Sequence, residues 1–459
     1  MSRRVAVHGL VAALIALFVV CGAASVFSPW GMPQPAQVSL VILLVAATLW
    51  ISEAVPLFVT SMIILVLSLT WLRSAARHAG APVDATTFTA PFFSNIILLF
   101  LGGFVLSAAM HRFHLDERLA RAVIARTGRS LPKLILGIMG ITAFLSMWLS
   151  NTATTAMMLA LCLPIVQGLE PGHDARKALL LSIPLAANVG GMGTPIGTPP
   201  NAIALQYMAQ TGPPPSFLTW MVLGVPMVLV LLAFIWGLLL LAYPGRDVQI
   251  ELPETSFESR RSPRVAIVVS VSLITVAGWL TGALHHLPSG TVALLPVIVF
   301  FGGRILSVQD LRGLPWDVLL LMGGGLCLGA GIEASGLATW LVERVPLAGL
   351  ELRVVAMVFG IVACLMSTVM SNTASANLLM PIVVGVAATN VSPLLLSVAF
   401  ACSLAMALPV STPPNAIAFS TGEIRVRDMV RAGLMTSLVG IGLTFTASWW
   451  WWRLLGLFH

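Results

Sequence analysis

The sequence predicts an all-α polytopic membrane protein containing a duplicated unit, and three observations carry that reading. Of 459 residues, 58% are hydrophobic and only 9% charged, and the mean hydropathy of +0.98 is far outside the range of soluble domains. Long apolar runs follow one another along the whole chain. A short polar motif, Ser150-Asn151-Thr152, interrupts one of the most apolar stretches and returns as Ser371-Asn372-Thr373 in an equally apolar setting.

The runs lie at 10–27, 36–51, 55–71 and 93–110, then at 134–149 and 153–169 on either side of the first motif. Those at 178–190, 217–243, 265–284, 289–302 and 316–332 follow, then 354–370 and 376–389 around the second motif, and finally 393–410 and 432–457. Several fall short of the roughly 20 residues that a straight crossing needs, so not all of them span. Arg3-Arg4, the first run and Gly22-Ala-Ala24 have the form of a cleavable signal peptide. An uncleaved first span with a cytoplasmic N-terminus is the favoured alternative, since the rest of the chain stays in the membrane either way.

The net charge of +7 comes from 24 Lys and Arg against 17 Asp and Glu. These basic residues fall mostly between apolar runs, where they set topology, so no nucleic-acid partner is expected. Cys21, Cys162, Cys327, Cys364 and Cys402 sit inside apolar runs without metal or disulfide spacing and read as small core residues. The eight histidines are scattered, mostly in loops, and imply no metal centre.

Trp50-Ile-Ser-Glu-Ala-Val-Pro56 separates two runs, and Pro56 is placed to start a helix. Glu53 is a carboxylate at an interfacial position, read as structural beside the functional alternative. A polar loop from Arg73 to Thr87 leads into Asn95-Ile-Ile-Leu-Leu-Phe-Leu-Gly-Gly103, whose counterpart is Asp317-Val-Leu-Leu-Leu-Met-Gly-Gly-Gly325, offset by 222 residues (95 to 317). The Ser-Asn-Thr copies are offset by 221 (151 to 372). Thr198-Pro-Pro-Asn-Ala-Ile-Ala204 and Thr412-Pro-Pro-Asn-Ala-Ile-Ala418 are identical, offset by 214 (198 to 412).

Three ordered matches at nearly constant offset indicate duplication, with the polar stretch Tyr243 to Arg264 as the linker between halves. Part of the shortening lies between Thr152 and Pro164, where the first copy is longer by about one helical turn than between Thr373 and Pro381. For the Gly-rich segments, close helix packing is one reading. Re-entrant hairpins just before each Ser-Asn-Thr break are the sharper expectation.

A helix that stops inside a membrane leaves free N–H groups where it restarts and free C=O groups where it ended; the first favour anions, the second cations. Ser, Asn and Thr add hydroxyls and amides able to serve either ion without fixed charge. In Thr-Pro-Pro-Asn the prolines stop the preceding helix and expose its carbonyls, and in the first half Gly190-Gly191-Met-Gly193 loosens the backbone further. Such hard oxygen ligands suit an alkali cation better than a transition metal. Paired breaks therefore predict a broken-helix binding site at mid-membrane depth. A membrane hydrolase is disfavoured, because no histidine lies near either Ser-Asn-Thr to act as base.

These motifs resemble the divalent anion/sodium symporters, carriers of dicarboxylates, citrate or sulfate, and the resemblance runs from Trp50 to Asn415. It implies an inverted-repeat fold of about eleven transmembrane helices plus two re-entrant hairpins, a homodimer in the inner (plasma) membrane, and elevator movement of a transport domain on a scaffold. Its units would be 1–88 (scaffold), 89–210 (first transport repeat), 211–310 (linker and scaffold), 311–425 (second transport repeat) and 426–459 (C-terminal span).

By motif position, one sodium site would use Ser146, Ser150, Asn151 and Gly197, and a second Ser367, Asn372, Ser411 and the Met370 carbonyl. Substrate carboxylates would meet Asn151, Thr152, Thr198, Asn372, Thr373, Thr412 and Pro413. The implied function is sodium-coupled symport of a C4-dicarboxylate such as succinate, malate or fumarate, without further cofactor. Sodium-independent exchange and sulfate or citrate transport stay open, as does, at greater distance, a passive anion channel. The second half departs from the first in lacking the glycines of 190–193.

Overall fold

The structure, a computed structural model, describes residues 31–128, 130–244, 262–344, 350–386 and 391–456. The expected first span at 10–27, Arg3-Arg4, Cys21, and the centre of the linker lie outside them. Among the described residues every extended element is a helix, and eight helices are long and apolar enough to cross a bilayer: Gln34–Ser52, Leu57–His78, Thr86–Arg112, Phe217–Ala242, Pro263–Leu280, Trp316–Ala334, Leu352–Val369 and Val426–Leu454. Large apolar side chains such as Leu229, Leu273, Ile274, Val358 and Leu365 stand exposed on their outer faces, as lipid-facing helices require.

In chain order the main helices are α1 (Gln34–Ser52), α2 (Leu57–Leu67), α3 (Asn95–Arg112), α4 (Leu115–Ile124), α5 (Leu131–Ser146) and α6 (Asn151–Gln167). Then come α7 (Asp174–Gly190), α8 (Pro199–Thr211), α9 (Phe217–Ala242), α10 (Pro263–Leu280), α11 (Ser289–Gly302) and α12 (Trp316–Ala334). The last six are α13 (Leu337–Arg344), α14 (Leu352–Val369), α15 (Asn372–Val386), α16 (Val391–Ser403), α17 (Pro413–Phe419) and α18 (Val426–Leu443). Helix α2 continues through a π turn at Ser68–Leu72.

The Gly-rich segments are not themselves the hairpins that the sequence suggested. They form the unbroken helices α3 and α12, because glycine retains the intrahelical hydrogen bonds while removing the side chain. Their glycines serve close packing. A Cβ at Gly102 would overlap the Ala293 carbonyl on α11, and one at Gly324 would overlap Ser61 on α2. Each helix then ends in a tight turn through a left-handed residue, His114 (φ +52°) and Gly336 (φ +74°), again 222 positions apart.

The chain doubles back one step later, at the Ser-Asn-Thr breaks. Helices α5 and α7 pack side by side and end together, with Gly190 against Ala143 and the Ser146 hydroxyl on the Ala187 carbonyl. Helix α6 starts at that shared end and returns to the region of α4, so α5 and α6 form a hairpin with residues 147–150 at its tip. The same three-helix grouping recurs in α14, α15 and α16.

Packing between the halves is reciprocal. Helix α8 lies on α15 and α16, and α17 lies on α6 and α7, so each Thr-Pro-Pro-Asn helix is clasped by the other half. Likewise α3 packs on α11, and α12 on α2. This exchange brings the two breaks to one place.

Candidate functional site

A cavity of about 800 Å³ lies where the breaks meet. Its wall is built from matching positions of the two halves: Trp148 and Val369, Ser150 and Ser371, Asn151 and Asn372, Thr152 and Thr373, then Ile196 and Val410, Gly197 and Ser411, Thr198 and Thr412, Pro199 and Pro413. All seven residues expected to meet substrate carboxylates line this one cavity, as do Ser150, Gly197, Met370 and Ser411. Ser146 and Ser367 do not reach it. They are fully buried one layer behind, hydrogen-bonded to Asn151 and Asn372.

Four helix starts converge on the cavity: Asn151 of α6, Pro199 of α8, Asn372 of α15 and Pro413 of α17. The first N–H groups of α6 and α15 have no intrahelical acceptor, since helical pairing begins with Thr154 on Ser150 and Ser375 on Ser371. Among the described residues the lining contains no Arg, Lys or His, but it includes the carboxylates Glu53 and Asp317. Positive potential on the wall therefore comes from helix ends and neutral donors. Glu53 is exposed, has φ +48° and caps α1 at the rim.

The Ser–Asn pairs are set identically in both halves. Ser146 Oγ donates to Asn151 Oδ1 at 2.5 Å, and Ser367 Oγ to Asn372 Oδ1 at 2.7 Å, each across five residues. Each amide thus turns its oxygen to the serine and leaves its NH₂ for another partner. In the first half Ser146 Oγ is also 2.8 Å from the Ala187 carbonyl. One hydroxyl hydrogen cannot serve two acceptors, so this oxygen cluster is short of positive charge.

The Thr-Pro-Pro-Asn asparagines, which sequence reasoning left unassigned, hold the unwound chain before each short helix. Asn201 Nδ2 donates to the carbonyls of Gly191 and Thr194 at 3.0 and 2.8 Å and lies 3.4 Å from that of Met192. Asn415 Nδ2 donates to those of Met406 and Leu408 at 2.9 and 3.0 Å. The separations of nine and seven residues are common to both copies. A second set of bonds clamps this chain to the hairpin tips. Thr194 Oγ1 donates to the Met147 carbonyl, and Ser411 Oγ to the matching carbonyl of Thr368.

The glycines missing from the second break have their counterparts across the interface. Gly191 and Gly197 let the first break close on Asn151; a Cβ at 191 would lie 2.7 Å from Asn151 Oδ1. In the second half Leu404 and the Met406 carbonyl press instead into Gly440 and Gly433 of α18. Sequence reasoning also passed over Asn188 and Trp148, both on the cavity wall. A single amide in the apolar run 178–190 was the available signal for the first.

Comparison with known proteins agrees with this architecture. The sequence pattern of the citrate transporter family matches residues 47–391. The chain is 35% identical to the sodium-dependent dicarboxylate transporter SdcS of Staphylococcus saprophyticus, covering 90% of this chain and 86% of that one. It is also 35% identical to the protein of the same name from Staphylococcus aureus, covering 90% and 85%. The fold is similar to that of the Alcanivorax borkumensis YdaH transporter (TM-score 0.55, 13% identity, 91% of this chain and 98% of that one). It is similar too to Neisseria gonorrhoeae MtrF, described among antimetabolite efflux pumps (TM-score 0.56, 12% identity, 87% and 97%). The doubled Ser-Asn-Thr and Thr-Pro-Pro-Asn breaks and the match over most of its length place this chain in the citrate transporter family, among the divalent anion/sodium symporters.

Proposed function

We propose that this chain is a secondary transporter, not an enzyme, that carries a C4-dicarboxylate together with sodium. The observation that carries this reading is the cavity itself: two full-length helix starts, each bearing Asn-Thr, face one space whose lining, among the described residues, has no basic side chain and two acidic ones. A dianion entering it meets only neutral donors and helix ends, so bound cations supply the balancing charge. Like charges 4 Å apart repel by about 4 kcal/mol at an effective dielectric of 20, so companion cations favour entry of a dianion into such a lining. The relatives named for sodium-dependent dicarboxylate transport support the same pairing.

In this reading sodium sits against the Ser146–Asn151 oxygens with Ser150 and the Gly197 backbone, and a second ion against Ser367, Asn372, Ser411 and the Met370 carbonyl. The amide NH₂ groups of Asn151 and Asn372 and the hydroxyls of Thr152, Thr198, Thr373 and Thr412 meet the two carboxylates, with Pro413 shaping the wall. The hairpins with α7, α8, α16 and α17 move as a transport unit. Helices α3 and α12, which pack on α11 and α2, stay with the scaffold, a shift from the boundaries drawn on sequence. The proposal includes a homodimer in the plasma membrane with its N-terminus cytoplasmic, the two chain ends lying on opposite faces.

Proteoliposomes holding the purified chain should accumulate succinate only under an inward sodium gradient. Equal uptake without sodium that depends on internal dicarboxylate would replace symport by exchange, and single-channel currents without accumulation would replace it by a channel.

A further inference from the structure

Asn188 is 2% exposed, yet it forms part of the cavity wall, near the end of α7. Its orientation follows from a relay of hydrogen bonds. The Met406 and Leu408 carbonyls require the NH₂ of Asn415, so Asn415 Oδ1 faces Asn188. Asn188 must then present its own NH₂, which donates to Asn415 Oδ1 and to Thr412 Oγ1, each at 3.1 Å. Thr412 Oγ1 also accepts from the Asn415 N–H at 3.3 Å. With both lone pairs engaged, its hydroxyl can only donate, which assigns Thr412 to an anion and not to a cation.

In this relay Asn188 bonds other side chains through its NH₂ alone, which leaves Oδ1 as an acceptor on a side chain that borders the cavity. A carboxylate cannot satisfy an acceptor. A hydroxyl can. The neighbouring Ala187 carbonyl meets Ser146, behind the first half-site, while Asn188 meets Thr412 of the second, so the amide lies where the two half-sites join. The matching position in the second half, 214 residues on, is the buried Cys402, so nothing duplicates it.

We propose that Asn188 is a specificity-determining residue whose Oδ1 accepts from a hydroxyl on the carbon backbone of the substrate, making a 2-hydroxydicarboxylate the preferred cargo. This rests on the dicarboxylate reading above and sharpens it. A fixed acceptor beside a two-point anchor must distinguish mirror images as well as presence or absence of the hydroxyl.

The test is binding of succinate, L-malate and D-malate to the full chain in saturating sodium. One malate enantiomer is expected to bind at least about tenfold more tightly than succinate and than its mirror image. In Asn188→Ala that ratio should fall to within about twofold of one, while all three ligands weaken together through the freed Thr412. Asn188→Ser, with shorter reach, should lower the ratio in the same way where the Ala variant does not fold. Equal binding of all three ligands by the wild type, or an unchanged ratio in either variant, overturns the proposal. Absence of sodium-dependent binding of any of them would instead overturn the transport reading on which it rests.

Discussion

The two half-sites present matching Ser–Asn pairs on different mechanical supports. Both have a buried serine holding an asparagine amide across five residues, and both have a Thr-Pro-Pro-Asn asparagine tying down the unwound chain at nine and seven residues. Around this common part the halves diverge. The first break closes through its own glycines and is walled by Ile196, 8% exposed, whereas the second leans on glycines of α18 and leaves Val369 and Val410 70% and 78% exposed. What is held in common is what the proposal gives to ions and substrate; what differs is local packing and the opening of the cavity.

The strongest way to break this comparison is to change the common part. Asn151→Asp and Asn372→Asp keep shape and oxygen but replace the NH₂ donor with a negative charge facing the dianion. At about 4 kcal/mol of repulsion before relaxation, substrate affinity should fall by orders of magnitude in both variants while sodium binding survives or strengthens. Calorimetric titration of substrate and sodium checks this. A large loss in only one half would show that the two are not equivalent.

Next in size are the closing glycines, where the halves should differ. Gly191→Ala places a methyl against Asn151 and Gly433→Ala places one against the Met406 carbonyl; each should cost about 1–3 kcal/mol of stability through overpacking. Ala405→Gly, at the position matching Gly191, should not impair transport. Thermal unfolding with uptake assays would sharpen the division between packing and chemistry.

Asn201→Ala and Asn415→Ala each strip a buried NH₂ from backbone carbonyls, a loss of about 1–3 kcal/mol per orphaned group. The Asn415 variant should be the less stable of the two, since it also takes the Oδ1 acceptor from the buried Asn188 NH₂, whereas Asn201 Oδ1 has no partner to lose, a difference readable as thermal midpoints.

The smallest expected effect lies outside the cavity. Burial tends to raise the carboxyl pKa of Asp310, but the Ser307 hydroxyl and backbone N–H together with Arg112 overcome it and hold the group below the usual carboxylate value. A pKa depressed by folding adds stability that is present above the unfolded value of about 3.9 and is lost as pH falls through the lower folded value. Because both partners are partly exposed, the contribution is about 1 kcal/mol or less. Asp310→Asn should therefore flatten the acid side of the stability profile slightly, measured as thermal midpoint between about pH 5 and 3.

Much of this site was legible in the sequence because duplication repeats chemistry. A lone Ser-Asn-Thr is uninformative, but two copies ordered with two Thr-Pro-Pro-Asn copies pointed to Asn151, Thr152, Thr198, Asn372, Thr373 and Thr412, which the fold brings to one cavity. Other features were hidden for physical reasons. Gly102-Gly103 and Gly323-Gly324-Gly325 pack equally well as a continuous helix or as a broken one, and only their neighbours Ala293 and Ser61 decide. Asn188 has no second copy, and its role arises from Thr412 and Asn415, more than 220 residues away.

The central claim is that Asn151 and Asn372 touch sodium and substrate at once and so link them. The most direct test is the sodium dependence of succinate affinity in Asn151→Ala and Asn372→Ala. Linkage predicts that both ligands weaken and that substrate affinity rises less steeply with sodium in each variant than in the wild type. Transport by both variants with the wild-type sodium dependence would contradict the claim and reduce these asparagines to packing groups.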